Sequence, residues 1–291
     1  MSNLSNHTGE INIAHPELWT LHLALHKRVL RYMLFNREQD NSLIAGEIPL
    51  DSSAGSYLKS VENAVYDNSA LLDDYGEVRL LVDTRHFVLL PPDVSDDSEA
   101  DTLLRAQYPD MDGDTALCEL PVSGVKLAFE LPPELLGFLQ RTFNMAPIVH
   151  HLQPLCDYYA RFCQRSSVRR MFLNFHDEQM DMVVFEHDRL QLANTFDVRT
   201  HTDAAFMALH AWESLGMDVH SDELQLTGDK SIRDQVSAEL RRYINYVMPA
   251  IFPAAAMHLS HDAMRAPFNL ITLAHANNPW TIWPPTLRRA H

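Results

Sequence analysis

The chain has 291 residues, 46% hydrophobic and 21% charged, and its 39 acidic against 23 basic residues give a formal charge of -16. This composition suits a globular protein with room for two core-bearing units or one large one, and it argues against global disorder. A surface so negative repels phosphates instead of displacing their counterions, so neither nucleic acid nor anionic lipid is an expected partner.

Sixteen histidines could offset part of that charge only at mildly acidic pH. The opening residues MSNLSNHTGEINIAHPE lack a basic start followed by an apolar run, so no secretory signal is expected. The stretch YVMPAIFPAAAMHL is short and carries two prolines, so no membrane insertion is expected. Cys156 and Cys163 lie seven apart on an expected helix, roughly 10 Å along its axis, too far for a bridge. With Cys118 they read as reduced thiols of a cytoplasmic protein.

In chain order, Trp19–Leu25, Val29–Phe35 and Leu43–Leu50 read as three strands, with His26-Lys27-Arg28 at the first turn. A helix from Ser56 to about Tyr66 follows, then strands at Glu77–Asp83 and Phe87–Leu90 before Pro91-Pro92. Ser95 is the expected cap of an acidic-led helix through about Gln107. Thr115–Leu120 and Val125–Leu131 read as a hairpin, Pro132-Pro133 opens a helix to about Thr142, and Pro154 starts another through about Gln164.

The stretch RMFLNFHDEQMDMVVFEHDRLQLANTF, residues 170–196, reads as a second three-strand meander with tight turns at His176–Gln179 and His187–Arg189. Leu190, Leu192 and Phe196 alternate with Gln191, Ala193 and Thr195, the period of a half-buried strand. Thr202 is the expected cap of the next helix, ended by Gly216. A strand follows at Glu223–Thr227. Ser231 then caps a helix whose Ile232, Val236, Leu240, Tyr243 and Val247 stack at helical spacing. The last helix is expected over Pro267–Ala276, and Trp280 and Trp283 are expected to dock on the body. Meander, helix, strand, helix thus occurs twice, which divides the chain into lobes at 1–165 and 166–291.

The segments LWTLHLALHKRVLRYMLFN, DTRHFVLLPPDV, MFLNFHDEQMDMVVFEHDRLQLANTFD and DELQLTGD, in that order, carry a resemblance. The duplicated pattern resembles the actin-like ATPase superfamily of actin, hexokinase, the heat-shock chaperones and the pilus-assembly actin homologues. More closely, it is similar to a bacterial family of unknown function that comprises degenerate members of that fold. The resemblance implies an α/β class: a duplicated ribonuclease H-like (actin-like ATPase) fold, two lobes around a cleft.

In active members the first turn of each meander holds the nucleotide phosphates with an Asp, closely spaced glycines and a hydroxyl residue. Glycine lets backbone N–H groups approach the anion, and the Asp helps hold a metal. Leu25-His26-Lys27-Arg28 has no glycine, carboxylate or hydroxyl, although Lys27 and Arg28 could attract phosphate. His176-Asp177-Glu178-Gln179 also lacks glycine, and its carboxylates would repel a triphosphate unless Asp177, with Asp181, held a divalent ion. The loop that meets adenosine corresponds to Thr227-Gly228-Asp229, with one glycine instead of a pair. There, Gly228 also reads simply as a strand-to-helix turn with Asp229 or Ser231 as cap.

His150-His151 and His258-Leu-Ser-His261-Asp262 are the best metal candidates by composition, with no third ligand implied. Asp110-Met-Asp112-Gly-Asp114 lacks the glycine position and twelfth-residue Glu of a calcium loop and reads as an acidic turn. Thr84 and Arg85 belong to a resembling segment and would position it. The expectation is a cytoplasmic, non-catalytic binding or scaffold protein without a cofactor, with a protein partner and the option of a homo-oligomer. The alternative is a divergent ATPase or kinase using Lys27, Arg28 and a metal at Asp177, with ATP and Mg as its cofactors.

Overall fold

The structure, a computed structural model, describes residues 11, 13–91, 94, 97–120, 124–164, 166–260, 263–264 and 266–276. The expected cap Ser95, His261 and Asp262 of the second histidine pair, and both tail tryptophans lie outside the described residues. Packing divides the chain into two units. The first is Met1–Gln153 with Ala254–Leu270, and the second is Pro154–Pro253 with Ile271–His291.

In the first unit, β1 (Thr20–Leu25), β2 (Val29–Phe35) and β3 (Ile44–Pro49) form an antiparallel meander. β1 also pairs in parallel with β4 (Glu77–Val82), which pairs in parallel with β8 (Ile148–His150). The sheet order is therefore β3-β2-β1-β4-β8. All six residues of β1 are buried, because a central strand with both faces covered has no solvent side to alternate with. Helix α1 (Tyr57–Tyr66) starts at Ser56, whose hydroxyl accepts from the Lys59 amide at 3.1 Å. A second, antiparallel sheet has the order β5-β7-β6, built from β5 (Phe87–Leu90), β6 (Asp114–Leu120) and β7 (Val125–Leu131). Helix α2 (Asp97–Gln107) packs on it through Ala100. Helix α3 (Leu135–Thr142) follows, and α4 (Leu152–Cys163), apart from its first two residues, belongs to the second unit.

The second unit repeats the plan. β9 (Arg170–His176), β10 (Gln179–Glu186) and β11 (Arg189–Asp197) form the meander. β9 pairs in parallel with β12 (Glu223–Gly228), and β12 with β13 (Tyr246–Pro249), giving the order β11-β10-β9-β12-β13. Burial alternates along the edge strand β11, while the middle of β10 is buried throughout. Between the strands lie α5 (His201–Ser214) and α6 (Lys230–Leu240), which cover Met171, Leu173, Met180, Met182 and Leu224 with Ala204, Ala208, Trp212, Val236 and Leu240. Helix α7 (Ala254–Leu259) belongs to the first unit, and α8 (Phe268–Ala276) begins in the first unit and ends in the second. No helix among the described residues is long and apolar enough to cross a membrane.

Three expectations need correction. The helix that begins near Ser231 stops at Leu240 instead of reaching Val247. Val247 is a ladder partner of Leu224 in β13, so the sheet claims residues whose spacing also fitted a helix, and Pro249 could not have extended one. The cap of α5 is Thr200, not Thr202: its hydroxyl accepts from the Asp203 amide at 3.1 Å. Of the two caps read for α6, Asp229 or Ser231, the structure uses Asp229, which accepts from the Ser231 amide at 2.9 Å, so Ser231 lies inside the helix. Strand β8 and helix α7 were not expected at all. Gly216 does terminate the end of α5, with φ 60° and the Met217 amide bonded back to the Trp212 carbonyl at 3.0 Å.

Candidate functional site

In each unit the candidate region is the corner where the first turn of the meander meets the end of the neighbouring parallel strand. Ligands of open parallel sheets gather at the carboxyl ends of strands, which makes this corner the place to look. The two corners share register. Leu25 pairs with Val82 and Phe175 with Gly228; the residue after each first-strand partner is a histidine, His26 or His176, and the residue after each fourth strand is an aspartate, Asp83 or Asp229. The Asp83 amide donates to the Leu25 carbonyl at 3.0 Å and the Asp229 amide to the Phe175 carbonyl at 2.8 Å.

In the first unit this corner is closed by side chains. The side chains of His26 and Asp83 are both buried, with Nδ1 of the ring 2.7 Å from the Asp83 carboxylate. The other carboxylate oxygen lies 3.4 Å from Nδ1 of buried His151. The Tyr57 hydroxyl donates to the His26 carbonyl at 3.1 Å, and burial, with the Asp83 charge second, pushes that phenol far above its usual range. Lys27 and Arg28 are exposed at the turn itself. His150, a metal candidate by sequence, is spent on structure. Nε2 lies 2.9 Å from the Thr84 carbonyl, Nδ1 accepts from the Leu152 amide at 3.3 Å, and the ring packs on Phe87 and Phe129. Thr84 and Arg85 hold their own segment in place, the Thr84 hydroxyl accepting from the His86 amide and the Arg85 carbonyl from the Tyr108 hydroxyl.

In the second unit the turn is a two-residue hairpin whose central residues, Asp177 at φ 46° and Glu178 at φ 62°, both sit in the left-handed region. Such turns favour Asn-Gly, and two carboxylate side chains there carry a conformational cost of about 1 kcal/mol each. Asp181, on β10, is 1% exposed and faces inward. Its carboxylate accepts from Asn174 at 3.0 Å and Thr195 at 2.9 Å, and lies 2.9 Å from Nε2 of His176.

Around this turn lies a cavity of about 420 Å³, lined by the 176–179 turn, Val198 to His201 before and at the start of α5, and Asp229, Ser231, Ile232 and Gln235 of α6. Two helix N-termini reach it, but Thr200 and Asp229 already cap them. Its charged rim has three carboxylates, Asp177, Glu178 and Asp229, against the single guanidinium of Arg199. That balance disfavours a bare triphosphate.

Of the residues singled out by sequence, Asp177 and Asp229 therefore meet in one cavity. Thr227 and Gly228 lie at the end of β12 beside Asn174 and Phe175. Gly228 has φ 89°, and a Cβ there would stand 2.1 Å from the Phe175 carbonyl oxygen. Its glycine is demanded by the approach of β9. Lys27 and Arg28 belong to the other unit. Sequence reasoning passed over His26, Asp83, Arg199 and Thr200. The signal available for the first two was their repetition: a histidine at 26 and 176, an aspartate at 83 and 229.

Residues 8–247 match the family model described as a protein of unknown function, DUF3822. The chain belongs to the DUF3822 family. Among solved structures, this DUF3822 protein is similar to a Bacteroides thetaiotaomicron protein with an actin-like ATPase fold and unknown function. The TM-score is 0.76 at 21% identity, covering 91% of this chain and 99% of that one. It is also similar to the PilM–PilN type IV pilus biogenesis complex, with a TM-score of 0.57 at 13% identity over 89% of this chain and 99% of that one. The DUF3822 chain thus has the actin-like ATPase fold. No curated protein matches it significantly.

Proposed function

We propose that this DUF3822 protein is a non-catalytic, cytoplasmic binding protein that uses an actin-like body to hold a protein partner. The observation that carries the reading is the make-up of the two corners. Neither turn has a glycine to bring backbone amides to a phosphate, and Asp83 and Asp181, the buried carboxylates beside them, are engaged by protein side chains. The one glycine of the third loop is accounted for by Phe175. The likeness to a pilus-assembly protein found in complex with PilN supports a protein as the partner. Three buried thiols without a bridge accord with a reducing compartment.

The test is a thermal-shift titration with Mg-ATP, Mg-ADP and Mg-GTP up to millimolar concentration, run alongside phosphate release. The expected result is an unchanged Tm and no turnover. A ligand present at a hundredfold its Kd would stabilise the fold by about 2.7 kcal/mol, a shift of several degrees, so a null result is informative. A clear shift, with hydrolysis abolished by Asp177→Ala, would establish the ATPase reading instead.

A further inference from the structure

His86 stands just before β5 in the first unit, and its neighbours fix the ring from two directions. Nδ1 is hydrogen-bonded to the Glu130 carboxylate on β7. The other carboxylate oxygen accepts from the Gly113 amide at 3.1 Å, and the Glu130 amide donates to the His86 carbonyl at 2.9 Å. Tyr108, just after α2, stacks on the ring with centroids 4.5 Å apart and planes 25° from parallel. Its hydroxyl reaches the carbonyls of Arg85 at 3.2 Å and Phe87 at 3.3 Å, the residues on either side of His86.

A carboxylate only accepts, so the neutral ring carries its proton on Nδ1 and keeps its lone pair on Nε2. Nε2 has no partner among the described residues, and the side chain is 40% exposed. His15 makes the contrast: Glu17 lies 3.0 Å from its Nδ1, but that couple is 74% and 61% exposed, where solvent screens it and nothing packs the ring. An imidazole held by a carboxylate at one nitrogen and open at the other is built as a nucleophile. No metal-ligating cluster among the described residues includes it.

We propose that His86 is a phosphorylation site whose Nε2 takes a phosphoryl group from an N-phosphorylated donor. The Nε2 lone pair forms the new N–P bond while the P–N bond of the donor breaks, and the donor nitrogen leaves with that electron pair. With phosphoramidate the leaving group is ammonia. The ring turns positive as the new bond forms, and the Glu130 carboxylate faces that charge across Nδ1–H. Glu130 is thus a positioning residue for the nucleophile. The transfer is covalent, so it does not draw on the equilibrium phosphate affinity that a net charge of -16 withholds.

The experiment treats the full chain with phosphoramidate at mildly alkaline pH, where phosphohistidine survives, and maps the added phosphoryl group by mass spectrometry over time. His86 is expected to be labelled about tenfold faster than His15, His187, His201 and His220, the worth of one charge-assisted hydrogen bond to the developing cation. Glu130→Gln, checked for an unchanged circular dichroism spectrum, should slow His86 about tenfold by the same reasoning. The imidazole nitrogen-15 spectrum should show the fixed Nδ1–H tautomer of His86 in the wild type and its loss in the variant. An unlabelled His86, labelling spread evenly over the exposed histidines, or an undiminished rate in folded Glu130→Gln overturns the proposal. The competition among histidines is read within the wild-type chain, so it decides the matter even where the variant folds poorly.

Discussion

Gly228→Ala is expected to lower the unfolding free energy by about 4 kcal/mol, from backbone strain of roughly 1–3 and steric overlap of roughly 1–3. Gly228 sits at φ 89°, outside the range a side chain tolerates. The new Cβ would approach the Phe175 carbonyl oxygen to 2.1 Å and its amide nitrogen to 2.5 Å. Those are backbone atoms of the ladder partner, so no rotamer change relieves them. The strands must part, at the expense of the bond from the Asp229 amide to Phe175 at 2.8 Å. Urea denaturation at constant m-value gives the number. The same measurement separates two roles for the glycine. A residue kept small only to let a ligand approach would accept alanine with little change, and a loss below about 1 kcal/mol would rule out the packing account.

Asp181→Ala should cost about 3–5 kcal/mol, the penalty for removing one member of a buried charged network. Asn174 and Thr195 are the register partners of Asp181 on the two flanking strands, so one carboxylate ties β9, β10 and β11 together at the level of the turn. His176, two residues beyond Asn174, adds the third contact. Asp181→Asn keeps the size and one acceptor and should lose roughly half as much, because charge-assisted bonds are about twice as strong as neutral ones. Equal stability of Asp181→Ala and wild type would show the network to be incidental. Far-ultraviolet circular dichroism at the midpoint distinguishes global unfolding from loss of the hairpin alone.

Much of this fold is legible in the sequence because both meanders are local. β1 to β3 and β9 to β11 run through short connections, and their apolar runs and turns are visible within a few residues. What escaped was non-local. Val247 fits the i, i+4 spacing of a helix as well as a strand, and only its parallel partner Leu224, twenty-three residues earlier in sequence, decides between them. β8 is three residues long, too short for a period to register. The corner of the first unit joins His26 to Asp83 across 57 residues, a link no turn motif announces. Asp177 and Asp229 were found from the resemblance, and the sheet order explains why they meet: β9 and β12 are neighbours, so the turn after one and the cap after the other share a cavity.

The three thiols give each unit its own chemical clock. Cys118 sits on β6 in the first, and Cys156 with Cys163 on α4 in the second; all are shielded from solvent. Burial also pushes the Cys163 thiol up to about 11, which slows its alkylation further. An alkylating reagent therefore waits on opening of the surrounding packing, and mass analysis of which site is tagged first tells which unit breathes sooner, with no label engineered into the protein.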